Sequence, residues 1–250
     1  MSSPAPATVT LGRGSLGQRV QDSIKALILE RGLGPGDPMP TEFELAGKLG
    51  VSRNSVREAT KVLEAIGIVV IRRGAGMYVG DVTLDGFVEQ LEFHGNLSKR
   101  TGYHHLKSLL EIRELLETGL VDHLLSMGSA TAVDIATMEL VIVKMEAEAA
   151  KGHYSSPLDS AFHRAHYAEL GNPLVDKLLN AFWTIFNRLE ATLPPTTESP
   201  EEVARKHRRI LEAVKAGDRA QAGKAMVEHF AGIHQRLDIA CAQEGPAGLS

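Results

Sequence analysis

The sequence predicts a mainly α protein in which a small N-terminal unit of helices and one β-hairpin precedes an all-helical bundle. Two observations indicate this fold class. Hydrophobic residues make up 43% of the 250 residues but aromatic residues only 5%, and a chain rich in Leu, Ala and Glu favours helices over sheets. Apolar residues also recur at helical spacing along most of the chain, and no alternating strand pattern follows Val79.

The chain opens with residues 1–14, whose Ser, Pro, Gly and Ala content predicts a flexible tail. A first helix is predicted over residues 16–31, because Val20, Ile24 and Leu27 fall on one face. This helix begins a unit that we predict to span residues 15–80.

Two short helices separated by a tight turn are predicted next. Thr41 and Glu44 have the spacing of a capping box, which predicts that a helix begins there, and Gly50 ends it. Ser52 is placed to cap the second of these helices, which Gly67 stops. A hairpin with two adjacent arginines at its tip follows.

The second short helix combines a buried stripe with a polar first turn. The apolar residues of the predicted stripe are Val56, Ala59, Leu63 and Ile66. The polar residues left on the open side are Arg53, Asn54, Ser55 and Arg57. Such a turn suits a DNA major groove, where Arg pairs with guanine and Asn with adenine. Helix-turn-helix geometry also occurs in proteins that never touch DNA, and paired arginines at a hairpin tip are often only solvated surface.

The runs LGVSRNSVREA and LEAIGIVVIRRGAGMYV resemble the winged helix-turn-helix of the GntR family of bacterial transcription regulators. The resemblance covers residues 16–79 and implies a β-hairpin wing, a homodimer and a double-stranded operator with an inverted repeat. The positions that it implies for DNA contact are Ser52, Arg53, Asn54, Ser55, Arg57, Arg73, Gly74 and Gly76. Family members often carry Arg at the position of Phe43, so we expect fewer DNA contacts there or a different operator.

Charge is distributed unevenly along the chain, whose formal net charge is −4. Residues 1–80 hold 10 Lys and Arg against 7 Asp and Glu, whereas the other 170 residues hold 17 against 24. A mildly basic unit joined to an acidic one suits a DNA-reading module attached to a unit with another task. Cys241 is the only cysteine, which excludes an internal disulfide and a cysteine-based zinc site. No apolar run approaches the length of a membrane span or a secretory signal, so we expect no membrane contact and a cytoplasmic protein.

An all-helical domain is predicted over residues 104–241, after a linker and entry helix at residues 81–103. It contains six or seven helices, with a tail predicted over residues 242–250. The predicted helical stretches are residues 103–127, 131–151, 157–171, 174–192, 199–216 and 218–241. Thr131 with Asp134, and Ser199 with Glu202, are the clearest capping signals.

Histidine and aspartate on three of these helices suggest a metal site. Asp159 and His163 lie four residues apart, so both point from one helix face. His207 and His229 lie inside the last two helices. Three imidazoles and one carboxylate could hold Zn²⁺, Ni²⁺ or a similar divalent ion. Spacing alone does not bring them together, and lone histidines on helices are usually surface or hydrogen-bonded core residues.

The runs DSAFHRAH…GNP and KHRRILEAVKAGDRAQAGKAMVEHF are similar to the effector-binding FCD domain of the FadR-type GntR subfamily. The resemblance, over residues 104–240, implies a divalent metal at Asp159, His163, His207 and His229. His166, one turn from His163, is the main alternative ligand. His234 is interpreted as a supporting or structural residue.

Arg113 lies among leucines in the run LLEIRELLE, and a buried guanidinium needs a partner. Either Glu117, four residues on, forms an ion pair with it, or the guanidinium holds a ligand carboxylate. The resemblance favours a carboxylate effector in a cavity that has the metal at its floor. Asn172 is a further candidate for this pocket, although the Gly-Asn-Pro break explains it equally well.

Together these features predict a ligand-responsive DNA-binding transcription regulator, a repressor controlled by a small organic acid. One alternative is a metal-dependent hydrolase fused to a DNA-binding domain, because such a site could activate water. No carboxylate stands at an obvious general-base spacing beside the histidines. The other alternative is a regulator in which the metal is purely structural.

Overall fold

A computed structural model of the chain describes residues 15–98, 103–127, 134–189 and 193–243. The tail predicted at residues 1–14, the predicted cap residue Thr131 and the end of the 174–192 helix lie outside the described residues. The chain forms two compact units, one ending at Gly86 and one beginning at Phe87.

The first unit is the winged helix-turn-helix that the sequence predicts. Its elements are α1 (Leu16–Glu30), α2 (Glu42–Leu49), α3 (Arg53–Ala65), β1 (Val69–Arg72) and β2 (Gly76–Val79). The two strands are antiparallel, with Val69 opposite Val79 and Arg72 opposite Gly76. The wing is therefore a short hairpin that turns at residues 73–75.

The capping signals of this unit are confirmed. Thr41 and Glu44 form a complete capping box at the start of α2, and Gly50 ends that helix in the left-handed conformation that glycine tolerates best. At α3 the Ser52 hydroxyl accepts a hydrogen bond from the backbone N–H of Ser55 at 3.1 Å. These caps set the tight turn between the two helices and thereby the direction of α3.

The core of the first unit joins all three helices to the hairpin. Its most buried members include Ile24, Leu45, Val56 and Leu63, against which Val69 of β1 packs. These apolar contacts fix the hairpin beside α3.

One residue of the predicted buried stripe, Ile66, is not buried. Ile66 is 60% exposed, because α3 ends at Ala65 and the chain has already left the helical path at Ile66. Further along, Gly80 meets the backbone of Gly67 so closely that an added Cβ would lie 1.9 Å from the Gly67 carbonyl oxygen. Only glycine permits this approach where the chain leaves the wing.

The second unit is the predicted helical bundle. Its helices are α4 (Asp85–Ser98, which begins at the boundary), α5 (His104–Ser126), α6 (Ile135–Ala149), α7 (Ser156–Tyr167), α8 (Pro173–Leu189), α9 (Pro200–Lys215) and α10 (Arg219–Gln243). Six of the described helices follow Tyr103, as predicted. None of the described helices is both long and apolar enough to cross a lipid bilayer.

Helix ends in this unit depart from the prediction at two places. The predicted helix at residues 157–171 ends at Tyr167 and continues as a 3₁₀ turn (Ala168–Leu170). The predicted tail at residues 242–250 is wrong for Ala242 and Gln243, which belong to α10. Neither Gly nor Pro occurs between Cys241 and Gly245, so no helix-breaking residue stops the helix at Cys241.

The bundle brings together the three helices that carry the candidate ligands. α10 packs along α5 and α9, α6 packs against α7 and α9, and α7 packs against α8. Phe162 of α7 and Phe230 of α10 are among the largest fully buried side chains. The α6–α9 contact is reinforced by Arg208, whose guanidinium binds Glu146 through two hydrogen bonds and also contacts Glu139.

Candidate metal centre and DNA-binding surface

Four side chains from three helices converge inside the bundle. Asp159 and His163 come from α7, His207 from α9 and His229 from α10, and one ligand atom from each lies within 4.8 Å of all the others. Asp159, His163 and His207 are buried, and His229 is half-buried. The structure thus brings together the predicted set, which spacing alone could not do.

The spacing of the donor atoms matches that of metal ligands. The Nε2 atoms of His163 and His229 are 3.2 Å apart. Asp159 Oδ1 lies 3.1 Å from Nε2 of His207 and 3.3 Å from Nε2 of His163. Neighbouring ligands that bind one metal ion at about 2.0–2.2 Å are themselves separated by roughly 3.0–3.5 Å. The residues present therefore fit a divalent ion.

Partners on the outer side of two histidines fix which ring nitrogen faces the cluster. His207 Nδ1 donates to the carbonyl oxygen of Val203 at 2.8 Å, and His163 Nδ1 contacts the buried carboxylate of Glu117. A neutral imidazole that donates from Nδ1 carries its lone pair on Nε2. When both rings are neutral, both lone pairs point at the Asp159 carboxylate, so a proton or a cation must lie between these acceptors; the raised pKa of His163 favours a proton there unless a metal ion takes its place. This outer hydrogen bonding is the arrangement that orients metal-bound histidines.

Burial and neighbouring charge also set the protonation of the cluster. Burial acts to raise the pKa of Asp159, but His207 and the contact with His163 hold that pKa well below its usual value. Burial, followed by His207, lowers the pKa of His229 well below its usual value. Burial opposes protonation of His163 as well, yet the Glu117 carboxylate raises its pKa. An ionised carboxylate and a neutral imidazole are the forms in which these groups bind metals. The pKa shifts of Asp159 and His229 favour these forms, whereas His163 would have to release a proton when a metal ion binds.

Neither of the other two histidines considered from the sequence belongs to the cluster. His166 is fully buried and stacks on Tyr167, with ring centroids 4.5 Å apart. Neither of its ring nitrogens has a hydrogen-bond partner among the described residues, and burial lowers its pKa to about 3. His234 is paired with Glu114 of α5.

Arg113 forms the ion pair with Glu117, which is one of the two roles that the sequence left open. Its Nε donates to Glu117 at 2.7 Å, and the side chains of this pair are 5% and 0% exposed. The guanidinium lies 4.3 Å from the ring centroid of Trp183 and 5.2 Å from that of Phe230. Its Nη2 is buried without a hydrogen-bond partner among the described residues. Since Nε alone binds Glu117, donors remain for a further acceptor.

A cavity of about 280 Å³ adjoins the cluster, and Asp159, His229 and Arg113 all line it. Its apolar wall includes Trp183, Phe186, Leu193, Phe230 and Ile233. Its polar wall includes Tyr154, Asn187, Thr196, Glu198, Lys206 and Arg236. A concave apolar site with a few polar groups is typical of small-molecule binding.

Asn172 does not reach this cavity. It is exposed at the start of α8, where its Oδ1 accepts a hydrogen bond from the backbone N–H of Leu174 at 3.0 Å. It lines a separate cavity together with Arg164 and Asp176. The local structural explanation for Asn172 is the one that the structure supports.

The structure places the predicted DNA-contacting residues on the surface of the first unit. Four of the five residues at the start of α3 are exposed and one is half-buried; they are Ser52, Arg53, Asn54, Ser55 and Arg57. Arg57 is already engaged, because its Nε and Nη2 both lie 3.3 Å from Glu42 Oε2 on α2. Phe43, beside Glu42, is 71% exposed.

The wing presents the other predicted positions. Arg73 and Gly74 lie in the turn, and both Gly74 and Gly76 have positive φ angles, of 76° and 106°. Arg72 folds back over the Tyr78 ring, 4.4 Å from its centroid. Arg73 is therefore the arginine that lies in the turn of the hairpin tip.

Several contacts of the sites escaped sequence reasoning. Glu117 was expected only as a partner of Arg113, and its contact with His163 depends on how α5 packs near α7. The Glu42–Arg57 pair and the cavity walls formed by Trp183 and Lys206 had no sequence signal either. The one sequence signal was for the Arg113–Glu117 pair: Glu117 lies four residues after Arg113 and therefore on the same helix face.

Each of the two units matches a known protein family. A family model described as "Bacterial regulatory proteins, gntR family" matches residues 16–79, and one described as "FCD domain" matches residues 108–232. The chain is 30% identical to the HTH-type transcriptional regulator LutR of Bacillus subtilis, over 82% of this chain and 93% of that protein. It is 27% identical to the HTH-type transcriptional repressor NanR of Escherichia coli, over 88% and 83% of the two chains. A solved structure, Streptococcus agalactiae GntR, shares the fold with a TM-score of 0.59 and 24% identity, covering 88% of this chain and 99% of that one.

Proposed function

This chain belongs to the GntR family of bacterial regulatory proteins, and from that premise we propose that it is a repressor whose helical unit senses a small organic acid through a bound divalent metal ion. It is a DNA-binding transcription regulator with an FCD domain rather than an enzyme, in keeping with its relatives. Beyond this, we propose a bound metal ion, an acid effector that changes operator binding, and a location in the cytoplasm.

One observation carries the metal proposal. The Nε2 atoms of His163 and His207 face the same oxygen of Asp159 at 3.3 and 3.1 Å, while both Nδ1 atoms face acceptors. Acceptors this close repel one another unless a proton or a cation lies between them. Because three imidazoles and one carboxylate suit borderline metals, Zn²⁺ and Ni²⁺ are the ions that we propose.

The cavity supports an acidic effector. When bound, the ion would offer a Lewis-acidic position to a carboxylate oxygen beside Asp159 and His229. Arg113 keeps donors for a second oxygen, since only its Nε is committed to Glu117. Trp183 and Phe230 cover the guanidinium and limit its access to water, which strengthens its hold on an anion. A purely structural ion has less support, because two of the proposed ligands line the cavity.

Regulation would follow from the two units acting together in a homodimer. The start of α3 would enter the major groove through Ser52, Arg53, Asn54, Ser55 and Arg57, and the wing would contact DNA through Arg73, Gly74 and Gly76. Two-fold symmetry then requires an inverted-repeat operator. The effector can weaken operator binding only by its differential affinity for the two states, typically about 1–3 kcal/mol.

The test compares His207→Ala with His153→Ala, a control that removes an exposed imidazole outside the cluster. We expect His207→Ala to lose the bound metal and the thermal shift with small carboxylates, while basal operator binding remains. Elemental analysis of the purified full-length chain and operator titrations with and without added acids measure these outcomes. A wild-type metal stoichiometry in His207→Ala would contradict the assignment of the ligands.

A further inference from the structure

An ion pair on the wall of the cavity has no part in the function proposed above. Lys206, the residue before His207 on α9, pairs with Glu198 from the loop that precedes this helix. Both residues line the cavity. The Lys206 side chain is 9% exposed and that of Glu198 is 21% exposed. The cation is thus the more deeply buried partner.

The Glu198 carboxylate lies against the backbone of α10 at a place left open by a glycine. A Cβ added at Gly232 would lie 2.0 Å from Oε2 and 2.8 Å from Oε1 of Glu198. Any side chain at this position would therefore displace the carboxylate. The Glu198–Lys206 pair therefore requires the space that the missing side chain of Gly232 leaves in the cavity wall.

The loop that carries Glu198 is fastened to α10 by two hydrogen bonds. Arg236 Nε donates to the carbonyl oxygen of Pro194 at 2.9 Å. The Thr197 hydroxyl donates to Gln235 Oε1 at 3.2 Å. Loss of the Glu198–Lys206 pair would remove a third attachment of this loop to the bundle.

Separating the pair costs more free energy at Lys206 than at Glu198. A lysine ammonium that is nearly buried needs an anionic partner, because an unpaired buried charge is costly. Glu198 is partly exposed and can turn its carboxylate to water at smaller cost. A ligand that brings its own carboxylate can therefore take the place of Glu198, whereas a ligand with a neutral end cannot.

We propose that Lys206 is an anion subsite of the effector cavity, that Glu198 fills it in the ligand-free chain, and that the effector is a dicarboxylic acid. This proposal rests on the proposed function, which accounts for the first carboxylate at the metal and Arg113. The second carboxylate replaces Glu198 on Lys206, because the group that fills this place in the chain is itself a carboxylate. Glu198 is then released, and the loop at residues 193–199 loses an attachment when the effector binds.

The test uses the metal-loaded full-length chain and matched pairs of acids. Succinate, glutarate and adipate are titrated calorimetrically beside their monoamides, in which a neutral amide of nearly the same size replaces one carboxylate. We expect the wild-type chain to prefer at least one diacid over its monoamide. Glu198→Gln removes the competing charge and should raise affinity for that diacid about two- to fivefold, the contribution expected of one partly exposed ion pair, without changing affinity for the monoamide.

Two further variants address the same contact by other means. Gly232→Ala keeps every charge but pushes the Glu198 carboxylate away, so it should raise diacid affinity in the same direction. Lys206→Gln should abolish the preference for the diacid. Glu202→Gln is the matched control, because Glu202 is an acidic residue of the first turn of α9 that pairs with Arg205 and does not line the cavity.

The outcomes separate the two proposals. If the acids bind but Glu198→Gln and Gly232→Ala both leave the ratio of diacid to monoamide affinity unchanged, the subsite is wrong and the proposed function stands. If neither member of any pair binds the wild-type chain or shifts its melting temperature, the carboxylate effector and the subsite are both wrong. Circular dichroism and metal content establish that each variant is folded and loaded.

Discussion

At the scale of single residues, Glu117 connects a cation of the cavity wall with a ligand of the candidate metal centre. One carboxylate oxygen accepts from Arg113 Nε and the other contacts His163 Nδ1. Glu117→Gln should lower metal affinity about ten- to a hundredfold, because His163 loses the anion that orients it and increases its basicity. Competition with a chromogenic chelator measures the change.

The control for Glu117→Gln is Glu111→Gln, which removes an exposed carboxylate from the same helix. The Glu117 variant should also be less stable by about 3–5 kcal/mol, since Arg113 would remain buried without a counter-charge. Metal affinity within threefold of wild type in a folded Glu117→Gln chain would contradict the role given to this carboxylate.

Arg53 is the residue through which the DNA-reading helix is best tested. It is exposed in the first turn of α3, and no described contact holds it, in contrast to Arg57, which pairs with Glu42. Arg53→Ala should weaken specific operator binding by about 1–3 kcal/mol and leave metal content unchanged. Lys61→Ala, which removes a positive charge further along α3, should weaken specific operator binding much less. Equal losses in both variants, measured by operator titration at fixed salt, would indicate only non-specific attraction.

At the scale of elements, the position of α9 depends on its attachment to α6 through Arg208. Hydrogen bonding with Arg208 lowers the pKa of Glu139 below its ordinary value of 4.5. A carboxyl group whose pKa is lower in the folded chain contributes stability above its unfolded pKa and loses it as pH falls through the folded pKa. Arg208→Gln should therefore lower the melting temperature at pH 7, and its difference from wild type should shrink below about pH 4.5.

The comparison for Arg208→Gln is Arg205→Gln, which removes an arginine whose ion pair lies within α9 itself. Melting temperatures of both variants and the wild type are followed from neutral to acidic pH. A difference between Arg208→Gln and wild type that stays constant on acidification would mean that the α6–α9 ion pairs do not carry the effect.

For the whole molecule, the division into two compact units predicts how metal removal acts. All four candidate ligands belong to the second unit, so a chelator should lower the unfolding transition of that unit and leave the first unit unchanged. With free metal at a hundred times its Kd, the expected stabilisation is about 2.7 kcal/mol. Calorimetry with and without chelator measures it, and His229→Ala should show no chelator effect. A shift of both transitions would contradict independent units.

Features that depend on a few neighbouring residues were predictable from the sequence, whereas contacts that depend on helix packing were not. Caps at Thr41, Ser52 and Ser199 were predictable because each is decided within four residues. The convergence of the metal ligands came from family resemblance, since helix spacing places a side chain on a face but does not say which helix it meets. The contact of Glu117 with His163 and the approach of Glu198 to Gly232 each join segments distant in the chain, so no local pattern could show them.

The pairing of α5 with α10 has a consequence for the order of folding. These are the helices at residues 104–126 and 219–243, and they pack against each other along the bundle. Contacts between segments so far apart raise the contact order of the unit and are slow to form, because a long loop must close first. His229 lies on the helix that makes this closure. The four ligands themselves lie on α7, α9 and α10 and meet when these helices have packed, whereas the contact of Glu117 with His163 also requires α5. Chains in which α5 has not yet paired with α10 would therefore lack this support for His163.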